Sequence, residues 1–389
     1  MSVTAPAGFV AAGAACGIKP SGASDLALVA SESGPVPAAG VFTRNLAPAA
    51  SVQVSRAHLD ASGGRAAAVV LSSGNANAAT GAPGLAGVQR MCALVADGLG
   101  VESSEILVCQ TGLIGIPLPM APVEAGIPAL MGSRRAGPEA GRDAATAIMT
   151  TDTVRKEALV EDAGFTVGGM AKGAAMLAPD MATMLAVLTT DAHCAPDVLA
   201  AALRRAVDAT FNEMSLDGCT STNDTVIVLA SGRSGTEVSA DVLAPALEEV
   251  CATLAGMMAA DAEGATKVAR VTVTGAASDG EAHQAARKVA ESSLVKCSLN
   301  GADAYWGRVV SELGSSGVAF DPDRVEIAYG GIVVCRDGVA AEHDGAALAA
   351  YMAGAAIELR SDLGLGAGRG AVLTTDLGYG YIDENRTTS

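Results

Sequence analysis

Residues 171–191, AKGAAMLAPDMATMLAVLTTD, carry an uncommon run of reactive side chains. Lys172 stands in a glycine-flanked turn and a Pro-Asp break follows. Ala182-Thr183 then opens an apolar stretch, MLAVLTT, with strand propensity. Two readings fit these residues. Thr183 can be an ordinary threonine at the start of a core strand. It can also be a nucleophile released by self-cleavage, because a threonine at a new N-terminus carries a hydroxyl and a general base, its own α-amine, on one residue. An α-amine titrates near about pH 8, so part of it is neutral at physiological pH and can take the hydroxyl proton. Ala182 is small enough to let that hydroxyl reach the scissile carbonyl.

Other chemistries find little support. His58, His193, His283 and His343 lie far apart, none at the i, i+4 spacing of a zinc site, and the one His-Cys neighbour pair, His193-Cys194, reads as structural. The G-x-S-x-G nucleophile elbow, the G-x-x-x-x-G-K-[ST] phosphate loop and a helix-opening G-x-G-x-x-G after the first strand are all missing. Neither a metal nor another cofactor is expected.

The 389 residues hold 25 Lys+Arg against 42 Asp+Glu, a formal charge of −17, which repels phosphate backbones and anionic lipid and argues against nucleic-acid or membrane partners. Half the residues are hydrophobic and 17% are charged, a globular composition. Aromatics are 3%, so the core has to be built from Ala, Val, Leu, Ile and Met. The start MSVTAPAGFVAAGAACG lacks a basic n-region, and no apolar run reaches the roughly 18 residues of a membrane span; a cytoplasmic protein is expected. Eight scattered cysteines without a C-x-x-C pair suggest that most are small buried hydrophobes rather than disulfides.

Strand-like and helix-like segments alternate throughout, which argues for an α/β or α+β fold with two or three folding units or one large body. A buried strand within 65–81 runs into a loop of Gly, Ser and Asn whose amides could face a ligand. A helix is expected over 84–100, then a strand ending in a Thr111-Gly112 turn. Further helices are expected at 196–214, with proline in the first turn, and at 240–260, with strands at NDTVIVLASG and KVARVTVTGAAS and the same alternation to the C-terminus. Gly132–Gly141 reads as a surface loop.

KGAAMLAPDMATMLAVLTTDA resembles the signature of the ornithine acetyltransferase (glutamate N-acetyltransferase) family, K-G-S-G-M-I-x-P-N-M-A-T-M-L followed by Thr-Thr-Asp. The likeness extends, in the family's order, through GFVAAGAACGIKPSGASDLALV, AGVFTRN, SGNANAATG, QTGLIG, IMTTDT, DGCTSTNDT, EGATK and LNGADAYWGR, and so covers essentially the whole chain.

That resemblance implies a layered α-β-β-α sandwich and a precursor that cuts itself between Ala182 and Thr183. The products would be an α chain (1–182) and a β chain (183–389), assembled as a heterotetramer of two α and two β chains. Thr183 would carry acetyl from N2-acetylornithine to glutamate by ping-pong acyl transfer. Thr111 and Gly112 would supply the oxyanion donors, a hydroxyl and a backbone amide. Thr150, Lys172 and Glu263 would contact the amino-acid substrates, with Lys172 suited to a carboxylate and Glu263 to an ammonium. Asn385 and Ser389 are the nearest matches to the family's C-terminal contacts, in a tail one residue shorter than usual. Asp180 stands where the family commonly has Asn, and Ala174-Ala175 where it has Ser-Gly. The alternatives are an aminopeptidase or amidohydrolase on the same self-cleaving scaffold, with water as acceptor, and an uncleaved binding or regulatory protein. Acetyl-CoA as a further donor stays open.

Overall fold

The computed structural model describes residues 3–162, 164–178 and 184–386. Ala182, Thr183 and Ser389 lie outside the described residues. The chain divides into two compact units, one formed mainly by residues 1–212 and 220–258, the other by 213–219 and 259–388.

The described strands of the first unit are β1 (Phe9–Ala14), β2 (Leu26–Ser31), β3 (Val36–Phe42), β4 (Arg65–Ala66), β5 (Ala68–Asn75), β6 (Ile106–Leu113), β7 (Lys156–Asp162), β8 (Phe165–Lys172), β9 (Leu185–Thr190) and β10 (Thr225–Ala230). Its helices are α1 (Ala50–Ala61), α2 (Gly81–Leu99), α3 (Met120–Ser133), α4 (Pro138–Ala147), α5 (Pro196–Asp208) and α6 (Ala240–Ala260). They build two sheets, ordered β1-β2-β5-β6 and β4-β3-β10-β9-β8-β7.

The strand period of two decides how these layers stack. Ala27, Val29, Val69, Leu71, Leu107 and Cys109 point from the first sheet into a core shared with Val36, Met170, Leu185, Val187, Ile227 and Leu229 of the second. The alternate residues of the first sheet, among them Leu26, Leu28, Val70, Ile106 and Val108, face Val54, Met91, Val95, Ile127 and Leu130 of α1, α2 and α3. On the far side of the second sheet, Val250 and Leu254 of α6 sit against Gly169 of β8. The unit is therefore the α-β-β-α sandwich that the family resemblance implies.

In the second unit β11 (Val268–Ala276), β12 (Glu326–Tyr329), β13 (Ile332–Arg336), β14 (Val339–Ala340), β15 (Ala356–Asp362) and β16 (Gly368–Thr375) form a mixed sheet, ordered β14-β13-β12-β15-β11-β16. Its core packs Val271, Val273, Ile327, Leu359 and Val372 against α7 (Asp279–Ala290), α8 (Ser293–Asn300), α9 (Trp306–Gly314) and α10 (Gly345–Met352). The chain ends its described part in α11 (Tyr379–Asn385).

Several expectations are corrected. The loop expected at 132–141 shrinks to 134–137, because α3 runs to Ser133 and α4 begins at Pro138; Arg135 exchanges both backbone hydrogen bonds with Ala11 and extends the sheet edge. The 196–214 helix stops at Asp208, and the Thr210 hydroxyl donates back to Ala206 O at 2.5 Å before a short 3₁₀ turn at Phe211–Glu213. β6 continues past the expected turn at Thr111-Gly112 to Leu113. Helix α6 is long and apolar enough to cross a bilayer by length and composition alone, but Glu248 and Glu249 interrupt its apolar run and 56% of its most apolar stretch is buried, as befits a core helix. Of the cysteines, Cys92, Cys109, Cys194, Cys251 and Cys335 are buried as expected, whereas Cys219 and Cys297 are exposed.

A core poor in aromatics makes thin layers, and glycine permits the closest approach. A Cβ on Gly13 of β1 would lie 2.1 Å from the Asp143 carbonyl oxygen of α4. Gly13→Ala is expected to push α4 off the sheet and cost about 1–3 kcal/mol, the usual scale of core overpacking. Thermal and urea melts of the variant measure it; an unchanged midpoint would contradict this packing.

Candidate active site

Thr111 and Gly112 sit where β5 and β6 stop behaving as regular strands. The parallel register pairs Ser73 with Thr111 and Gly74 with Gly112, then shifts at Asn75. Gly112 has φ +129°, and a Cβ there would fall 2.3 Å from the Gly74 carbonyl carbon, so only glycine fits. Thr111 is buried while Gly112 is exposed, so the peptide group between them runs from the core to the surface.

Lys172, the last residue of β8, reaches the same place. Its ammonium is 3.4 Å from Thr111 Oγ1, and the residue is buried. A hydroxyl that accepts from an ammonium keeps its own proton to donate elsewhere. Lys172 is also 4.0 Å from Asp152 Oδ2. Asp152 Oδ1 accepts from Lys156 Nζ at 2.7 Å and from Gly173 N at 2.7 Å, and its Oδ2 accepts from Thr150 N at 3.0 Å. Burial alone would raise the Asp152 pKa, but Lys172 and Lys156 outweigh it and hold the carboxyl at about 2. This one carboxylate thus ties together Thr150, Lys172 and the turn after β8.

Lys19 borders the site from the loop after β1. Its Nζ donates to Ser24 O and Met149 O, both at 2.7 Å, and its stem lies over Gly74. Burial lowers the Lys19 pKa, with Asp25 and Asp152 offsetting part of the shift. Asp25 fixes this loop by accepting the backbone N–H groups of Cys16, Gly17, Ile18 and Lys19. Among the described residues, three lysines (19, 156 and 172) thus gather with two carboxylates held below their usual range (Asp25 and Asp152) in a chain of −17.

The Asn-rich loop after β5 does something other than expected. Asn77 Nδ2 donates to Gly84 O and Gln110 Oε1, and Asn75 Nδ2 to Ile116 O and Pro117 O. Burial obliges these amides to be satisfied within the protein, so they brace the strand ends instead of facing a ligand.

Thr111, Gly112, Thr150 and Lys172 are therefore brought together within the first unit. Glu263 and Asn385 meet each other in the second, where Asn385 Nδ2 donates to Glu263 Oε2 at 2.7 Å and to Tyr381 O at 2.9 Å. Sequence reasoning assigned no role to Asp152, Lys156, Lys19 or Asp25. The available signal was their place inside or beside IMTTDT and GIKPSG, charged residues in blocks already singled out.

The family model described as the ArgJ family matches residues 10–387. A relative named arginine biosynthesis bifunctional protein ArgJ, from Mycolicibacterium paratuberculosis, is 49% identical over 393 residues, covering 100% of this chain and 96% of its own. A protein of the same name from Thermobifida fusca is 44% identical over 389 residues, covering 100% of both. Among solved structures, an ornithine acetyltransferase complexed with ornithine, from Mycobacterium tuberculosis, is 49% identical with a TM-score of 0.44, covering 46% of this chain and 94% of that one.

The Asp152 cluster makes a pH prediction. Asp152 protonates near 2 in the folded chain and near 3.8 when unperturbed, so its stabilisation is complete above about pH 4 and is lost as pH falls toward 2. The difference corresponds to about 2 kcal/mol. Asp152→Asn is expected to flatten that part of the acid-unfolding curve while destabilising the protein at pH 7, where Lys156 and Lys172 would lose this carboxylate; denaturant melts from pH 2 to 7 measure both.

Proposed function

The chain belongs to the ArgJ family, and from that premise we propose that it is an acetyltransferase of arginine biosynthesis, moving acetyl from N2-acetyl-L-ornithine to L-glutamate through an ester on Thr183. The observation that carries the reading is the buried Lys172 ammonium beside Thr111 and Gly112, a cation next to a hydroxyl and a glycine-shaped backbone, with the Asp152 carboxylate behind it.

In this proposal the Thr183 hydroxyl first attacks the Ala182 carbonyl, an N-to-O acyl shift frees the Thr183 amine, and water hydrolyses the resulting ester. The 1–182 and 183–389 chains stay together because they share one sheet. β9 and β10, which follow the cut, are its central strands, flanked by β8 and β3, which precede it. The freed amine then takes the Thr183 hydroxyl proton as the oxygen attacks the acetyl carbonyl. Thr111 Oγ–H and the Gly112 N–H donate to the oxyanion, and Lys172 makes the Thr111 hydroxyl a better donor by donating to its oxygen. The intermediate collapses with the proton passing to the departing ornithine amine. Glutamate's amine attacks the ester in the second half-reaction, and N-acetylglutamate leaves.

Lys172 pairs with the substrate's carboxylate, and Thr150 is a further substrate contact. The same ester can be loaded from acetyl-CoA. The active species is a cytoplasmic heterotetramer of two α and two β chains. The high identity to relatives named as arginine biosynthesis proteins over their whole length supports this reading over a hydrolase on the same scaffold.

Three variants test it. Thr183→Ala is expected to abolish both cleavage and transfer, Thr183→Ser to keep some of each, and intact-mass measurement of the wild type to give two chains, the second beginning Thr-Met-Leu-Ala-Val. An alanine variant that still yields two chains would sink the assignment. Thr111→Ala is expected to lower kcat by roughly 10²–10³ with KM little changed; a rise in KM alone would make Thr111 a binding contact instead. Lys172→Met is expected to lower kcat/KM for the acetylornithine and glutamate half-reactions together, by about 10- to 100-fold, as for one charge-assisted hydrogen bond. Loss of one substrate alone would require two separate sites.

A further inference from the structure

The block DGCTSTNDT contains two buried side chains with no part in the chemistry above. Asn223 donates from Nδ2 to Gln110 O at 2.8 Å and to Ala76 O at 2.6 Å. The Gln110 carbonyl carbon is bonded to the nitrogen of Thr111. Asp224 accepts the Met184 N–H on Oδ1 at 2.9 Å, and the Thr225 N–H donates to Met184 O at 3.1 Å. The Met184 nitrogen is bonded to the carbonyl carbon of residue 183. Two consecutive side chains therefore hold the main chain one covalent bond from the candidate oxyanion donor and one bond from the candidate nucleophile.

The turn that carries them is itself fixed. Thr43 N donates to Asp224 O, Thr43 Oγ1 to Ser221 O and Ala49 N to Thr222 O, while Asn223 N donates to Ser221 Oγ. The Asp224 side chain is fully buried, and among the described residues its second oxygen, Oδ2, makes no hydrogen bond. Burial pushes this carboxyl well above the usual carboxylate range, against the opposing pull of the Met184 N–H, Lys172 and Ser221.

Resting on the reading of Thr183 as nucleophile, we propose that Asn223 and Asp224 form a positioning pair that holds the main chain at Gln110 and at Met184, the residues bonded to the candidate oxyanion donor and to the candidate nucleophile, in one fixed relation. The pair acts through those residues and touches no substrate. A displacement of a few tenths of an ångström in either strand end changes the distance from nucleophile to oxyanion donor, to which acyl transfer is steeply sensitive.

The test uses the full-length chain. The time course of cleavage, kcat, KM and the melting temperature are measured for Asp224→Ala, Asp224→Asn, Asn223→Ala and the double alanine variant. Each single alanine variant is expected to slow cleavage and lower kcat by about tenfold, as for loss of one buried hydrogen bond, with KM little changed. Asp224→Asn should stay near wild type, because its amide oxygen keeps the acceptor for the Met184 N–H in a side chain of the same size. The double variant should lose less than the product of the singles, since releasing either grip already frees the spacing.

Folded alanine variants with wild-type cleavage and kcat would overturn the proposal, as would an Asp224→Asn variant as slow as Asp224→Ala. If Asp224→Ala does not fold, Asp224→Ser is read in its place. Failure of both to fold while Asp224→Asn does would make the residue structural and overturn the proposal equally. A wild-type chain that never cleaves would instead remove the Thr183 reading itself.

Discussion

One buried carboxylate organises the candidate site. Asp152 is sealed from water with two lysines, and it stays ionised because Lys172 and Lys156 outweigh the penalty of burial. Breaking a buried pair by removing one member costs far more than the pair contributes, so each charge constrains the others. Through Asp152, the Thr150 turn, the end of β8 and the Gly173 amide become one rigid body. Lys172 then has a fixed position from which to meet Thr111 on a strand of the other sheet. The Lys172–Thr111 contact thereby ties the two sheets to each other beside their shared aliphatic core.

Gly112 is constrained in a comparable way. β6 crowds it against Gly74, a contact no Cβ could survive, directly after the buried Thr111. Around it, the buried amides of Asn75, Asn77 and Asn223 satisfy the carbonyls of Ile116, Gly84 and Gln110 and brace the strand end.

Much of this was legible in the sequence, for definable reasons. Period-two burial in KVARVTVTGAAS and the proline-started helix at 196 depend on local pattern, and both formed, although the helix stopped at Asp208 where the Thr210 hydroxyl turned back on the chain. Thr111, Gly112, Lys172 and Thr150 were identifiable because a whole ordered set of motifs resembles one family. What pattern could not supply was partnership between distant residues. Nothing local to Asp152 says that lysines 4 and 20 residues further on will share it, and nothing in SGNANAATG says that its asparagines will turn inward. The 132–141 loop was misread for a similar reason: helix ends and a backbone pairing between Arg135 and Ala11 depend on a strand more than 100 residues away.

The central claim is that one ester on Thr183 connects donor and acceptor. Its most direct measurement is to mix the protein with N-acetylornithine carrying a labelled acetyl group, quench in acid without glutamate, and locate the label by peptide mass spectrometry. The account predicts one acetyl group on the peptide that begins at Thr183, discharged as labelled N-acetylglutamate when glutamate is added before the quench. Transfer to glutamate with no labelled peptide, or with the label on another residue, would contradict it.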